Sequence, residues 1–159
     1  MEGISQLLPL AILLHKQKGK MEALRDHPIP RILIIEDDDG MRALLKDVLE
    51  EEGFQADSAS NGLAGLQKLR EGRFDLVITD IHMPGLTGLD ILPGIKKLQP
   101  SVPVIVITAF GSSGVYRRSI QRGASAYLEK PIRIDRLKAL IHEMVAVGRE
   151  NGSVSANPV

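Results

Sequence analysis

Residues 74–88 read F-D-L-V-I-T-D-I-H-M-P-G-L-T-G. Leu76 to Thr79, with Phe74 before them, are apolar and β-branched and too few for a helix, so they are expected to form a buried strand. The run stops on one carboxylate, Asp80, and Met83-Pro84-Gly85 and Gly88 then supply turn residues. An acid at the C-terminal end of a buried parallel strand stands where open α/β sheets bind ligands. Read alone, Asp80 could equally be a helix N-cap.

The flanking sequence repeats that alternation. Arg31–Ile35 predicts a strand ending in Glu36-Asp37-Asp38-Asp39. Met41–Glu52 predicts a helix with Met41, Leu44, Leu45, Val48 and Leu49 inward and Gly53 as its stop. Phe54–Ala59, poor in apolar residues, predicts a strand near an edge. Asn61–Glu71 predicts a helix with Leu63, Leu66 and Leu69 inward. Leu86–Leu98 predicts another, with Pro93 inside it to kink or delay it. Pro103–Thr108 is continuously apolar, as a central parallel strand should be. Val115–Arg122 (helix), Ser125–Glu129 (strand) and Ile134–Val147 (helix) complete the series. Five strand–helix alternations in about 120 residues call for a doubly wound, five-stranded parallel sheet.

Composition narrows the function. The 159 residues suffice for one domain with a sizeable core. Twenty basic and twenty acidic residues balance, so no nucleic-acid footprint is expected. The absence of cysteine excludes disulfides, thiolate metal sites and thiol catalysis. Three regions follow: an extension and linker over residues 1–30, a domain over 31–147 and a polar tail over 148–159. The extension carries Ile4, Leu7, Leu8, Ala11 and Ile12 at helical spacing, too short a run to span a bilayer. It reads either as an appendage upstream of a native Met21 or as an amphipathic helix for a partner.

In a parallel sheet the strand ends share one edge. Glu36, Asp37, Asp80, Thr108 and Lys130 would therefore share a crevice. Clustered carboxylates raise one another's pKa unless a cation joins them. Oxygen ligands without His or Cys suit Mg2+ shared with a phosphate. A carboxylate can also carry a phosphoryl group as an acyl phosphate.

The chain resembles the receiver domain of two-component response regulators over roughly Arg31 to Val147. The resemblance is carried by I-L-I-I-E-D-D, V-I-T-D-I-H-M-P-G-L-T-G, V-I-V-I-T-A and A-Y-L-E-K-P, in that order. It implies a flavodoxin-like sheet with strand order 2-1-3-4-5. It makes Asp80 the phosphoacceptor, with Mg2+ held by Glu36, Asp37, Asp80 and the backbone carbonyl of His82. Thr108 becomes the switch hydroxyl, Tyr127 the switch aromatic and Lys130 the phosphate-binding lysine before a cis Pro131. It implies phosphorelay signalling in the cytoplasm and a histidine kinase or histidine phosphotransfer protein as donor. An unknown protein would be the target, and a homodimer could form through the fourth helix, fifth strand and fifth helix. No output domain, direct nucleic-acid binding, membrane contact or activity beyond self-phosphorylation and autodephosphorylation is expected. His82 and Phe110 fall at variable positions and are expected to set the lifetime of the phosphoryl group.

The main alternative is a haloacid-dehalogenase-like phosphatase with Asp37 as nucleophile, since Asp37-Asp38-Asp39 supplies Asp-x-Asp after a strand. It would leave the Asp80 loop unexplained. A flavodoxin relative lacks the expected Ser/Thr-rich phosphate loop. His15, His27 and His142 read as solvated. Lys96-Lys97 and Arg117, Arg118 and Arg122 read as solvated helix faces or a docking patch.

Overall fold

The computed structural model describes residues 28–153, with side chains to residue 149. The apolar run from Ile4 to Ile12, His15, His27 and the tail beyond Ser153 lie outside the described residues. Among the described residues five strands alternate with five helices: β1 (Arg31–Ile35), α1 (Asp39–Glu51), β2 (Gln55–Ala59), α2 (Gly62–Glu71), β3 (Leu76–Asp80), α3 (Gly88–Leu98), β4 (Val104–Thr108), α4 (Ser113–Gln121), β5 (Ala126–Glu129) and α5 (Ile134–Ser153). The sheet is parallel throughout, in the order β2-β1-β3-β4-β5. The polar β2 is therefore an edge, as its composition predicts.

Side chains alternate across the sheet, and both sets are buried. Leu33, Ile35, Val77, Val104 and Val106 meet Leu69 of α2 and Ile91, Leu92 and Ile95 of α3. Ile32, Ile34, Leu76, Ile78, Ile105 and Ile107 meet Leu45 and Leu49 of α1 and Leu137, Ile141 and Val145 of α5. Two covered faces explain why the central strands read as unbroken apolar runs. Truncating one such residue, as in Ile78→Ala, removes about 2–5 kcal/mol.

Helix starts follow local chemistry. Asp38 caps α1 by accepting the Met41 N–H at 2.7 Å, and Asp39 places an acid in the first turn. Thr87 and Asp90 form a capping box on α3. Two inward expectations fail. Leu63 is 68% exposed and Leu44 is largely exposed. Leu63 stands in the first turn of α2, and Leu44 lies off the buried Leu45–Val48–Leu49 stripe. Helix α5 also runs six residues past Val147, through the start of the expected tail.

Pro93 does not interrupt α3, which continues from Gly88 to Leu98. Proline lacks the N–H that would bond the carbonyl of Leu89. The Arg122 guanidinium, at the end of α4, donates to that carbonyl at 2.8 Å instead. Its Nη1 also lies 3.7 Å from Asp90 Oδ1. Arg122 is thus a splint between two helices. Lys96, read as surface, donates to the Val102 carbonyl at 2.6 Å.

Candidate functional site: an acidic crevice at the strand ends

Parallel pairing delivers the polar residues to one edge. Asp80 is the last residue of β3, in register with Ile107, rather than the residue after the strand. Thr108 ends β4. Glu36 follows β1, its N–H bonded to the Ala59 carbonyl at 3.1 Å. Lys130 follows β5, its N–H bonded to the Thr108 carbonyl at 2.8 Å. The Lys130–Pro131 peptide is cis.

The side chains then converge. Lys130 Nζ lies 2.5 Å from Asp80 Oδ2 and 3.3 Å from Glu36 Oε2. Asp80 Oδ1 accepts the His82 N–H at 2.9 Å, and Glu36 Oε1 accepts the Asp38 N–H at 3.1 Å. Glu36 is 2% exposed and Asp80 5%, whereas Asp37 is open to solvent. Each of the three acids offers an oxygen within 4.8 Å of the others. One lysine facing three carboxylates leaves a deficit of positive charge, and an all-oxygen donor set of this size fits a hard divalent cation.

Burial pushes the Glu36 carboxyl up to about 7, with the Asp80 charge adding to it and the Asp38 N–H and Lys130 opposing it. Burial alone would pull the Lys130 ammonium down; its hydrogen bond and charge pairing with Asp80, then Glu36, win and raise it.

Gly88 has a role that spacing could not reveal. A Cβ there would lie 2.1 Å from the Asp80 carbonyl oxygen. Only glycine lets the start of α3 pass so close behind the acidic strand end. A cleft of about 690 Å³, lined by residues that include Asp37, His82, Thr87, Arg118 and Arg122, opens beside the crevice. Two further cavities, lined around Pro100, Ser101, Pro103 and Gly148, lie at the opposite edge of the sheet.

Thr108 and Tyr127 are the residues expected to respond. Thr108 is fully buried. Its Oγ1 lies 3.2 Å from His82 Nδ1 and accepts the Phe110 N–H at 3.2 Å. The Tyr127 ring packs edge-on to Tyr116 at 5.6 Å. Its hydroxyl is buried without a hydrogen-bond partner. Burial first, and then the Glu129 charge, push the phenol pKa up. Phe110 is 71% exposed and leans on the His82 ring at 5.2 Å. His142 is not free either, standing 2.8 Å from Glu52 Oε2 and against Phe54.

Residues 32–142 match the response regulator receiver domain family, and the chain belongs to it. The chain is similar to the sporulation initiation phosphotransferase F of Bacillus subtilis, 37% identical over 108 residues, covering 68% of this chain and 87% of that protein. It is also 37% identical over 128 residues to the transcriptional regulatory protein ZraR of Klebsiella oxytoca, covering 80% of this chain but only 28% of that protein. Among solved structures, the response regulator TrrA of Thermotoga maritima, in complex with Mg2+ and BeF, aligns with a TM-score of 0.67 at 36% identity, covering 73% of this chain and 99% of that one. The flavodoxin-like fold and the two-component receiver assignment follow. Nothing in them supports a phosphatase acting through the exposed Asp37.

Proposed function

We propose that Asp80 accepts a phosphoryl group in a Mg2+-dependent reaction and that the acquired group switches a partner-binding surface. The observation that carries this is the buried Asp80 carboxylate, 2.5 Å from Lys130 Nζ and grouped with Glu36 and Asp37. A carboxylate oxygen of Asp80 attacks phosphorus. The bond from phosphorus to the donor's imidazole nitrogen breaks, and the imidazole leaves with the electron pair. Lys130 then exchanges its contact with Asp80 for one with a phosphoryl oxygen. Thr108 donates its hydroxyl to another. Glu36, Asp37, Asp80 and the His82 carbonyl are the residues that would hold Mg2+, which when bound neutralises the phosphoryl oxygens.

The donor is a histidine kinase or histidine phosphotransfer protein. The reading surface runs over α4, β5 and α5, where Tyr116 and Ile120 are exposed to a target or a second copy. The working unit is residues 31–147, with residues 1–30 and the tail outside it, and it acts in the cytoplasm with no chemistry beyond gain and loss of its own phosphoryl group. Among the described residues no helix is long and apolar enough to cross a membrane.

Labelling with a small acyl phosphate tests the site. Wild type should gain phosphate only with Mg2+, and Asp80→Asn should gain none while keeping the fold. Full labelling of that variant would move the acceptor elsewhere.

A further inference from the structure

The Thr108 hydroxyl has one hydrogen to give. Its oxygen already accepts the Phe110 N–H, and the group is fully buried. The acceptor within reach is His82 Nδ1, at 3.2 Å. The arrangement that leaves no buried donor unspent has Thr108 donating to Nδ1, with the imidazole proton on Nε2. The latch is braced from two sides. The His82 ring tilts against Phe110 at 5.2 Å, and its backbone N–H is held by Asp80 Oδ1 at 2.9 Å.

We infer that His82 is a positioning residue that holds Thr108 in its unphosphorylated place by taking the one hydroxyl proton that a phosphoryl oxygen on Asp80 would need. This rests on the reading of Thr108 as the switch hydroxyl. One proton cannot serve two acceptors, so the Thr108–His82 bond must break before Thr108 turns to the phosphoryl group. A ligand shifts such an equilibrium only by its differential affinity for the two states. The imidazole therefore raises the threshold for switching. Because it follows Asp80 by two residues, the loop that carries the acceptor also carries the restraint.

The experiment uses the full chain, Mg2+ and beryllofluoride as the phosphoryl stand-in. Long-range nitrogen NMR reads the His82 ring, and amide shifts in α4 and β5 read the switch. His82→Phe keeps a ring against Phe110 but removes the acceptor. Wild type without beryllofluoride should show the neutral tautomer protonated at Nε2, and its Nδ1 resonance should move as beryllofluoride binds. His82→Phe should reach half-response at a beryllofluoride concentration roughly threefold to tenfold lower, the effect of one modest net hydrogen bond. Thr108→Val should blunt the response in both backgrounds. A proton on Nδ1, or His82→Phe titrating like wild type while Thr108→Val is blunted, would overturn the latch alone. A full wild-type response from Thr108→Val would remove the switch reading and the latch together. The ring measurement needs no variant, so the inference stays exposed to test even if His82→Phe folds poorly.

Discussion

Glu36 shows how one buried residue can record the state of the crevice. Its carboxyl titrates near 7 when folded, against an ordinary value of 4.5. The folded state therefore binds this proton more tightly than the unfolded chain does. The stability it contributes is fully present below about pH 4.5 and is lost as pH rises through 7. The loss amounts to a few kcal/mol at most. Mg2+ favours the ionised carboxylate, so binding should release protons, and affinity should climb with pH up to about 7 and then level. Glu36→Gln should flatten the metal-free stability profile between pH 4.5 and 7, as measured by urea unfolding at each pH. An unchanged slope in that variant would assign the dependence to another group. Lys130 acts in the opposite range. Its raised pKa contributes stability below its ordinary 10.5, lost as pH rises past the folded value.

At the scale of elements, α3 and α4 carry the arrangements that sequence could not disclose. Pro93 announces a missing hydrogen bond, but its replacement, Arg122, lies 33 residues from Leu89 and on another helix. Only the fold brings the two together. Arg122→Ala should cost about 1–2 kcal/mol in wild type and much less in Pro93→Ala, where the restored N–H can reclaim the Leu89 carbonyl. A double-mutant cycle in denaturant unfolding measures that coupling; additive effects would deny the splint. Tyr127 offers a second case. Its hydroxyl is buried with no hydrogen bond, which disfavours the present ring position. Tyr127→Phe should raise stability by up to about 1 kcal/mol while the ring packing against Tyr116 persists. Equal stability would mean that the hydroxyl finds water.

The whole molecule was legible where chemistry is local or periodic. Buried parallel strands are apolar on both faces, so β1, β3 and β4 are plain in the sequence, and their shared edge joins Glu36, Asp80, Thr108 and Lys130. Within the acid run, Asp38 caps α1 and Asp39 stands in its first turn, while Glu36 and Asp37 fall to the crevice. Illegible were contacts that need the sheet to exist: Gly88 behind Asp80, His82 on Thr108, Arg122 on Leu89. Leu63 misled because it stands in the first turn of α2, and Leu44 because it lies beside the buried Leu45–Val48–Leu49 stripe rather than on it.

The central claim is that chemistry at Asp80 is read at a distance, and the most direct test follows backbone amides as Mg2+ and beryllofluoride are added. Perturbations beyond the crevice should appear only when both are present. They should run from Asp80 through Thr108 and Tyr127 into α4 and α5, over residues 115–147, because each ligand neutralises charge that opposes the other. Changes confined to the crevice around Glu36, Asp37, Asp80 and Lys130, with α4, β5 and α5 unmoved, would contradict the account.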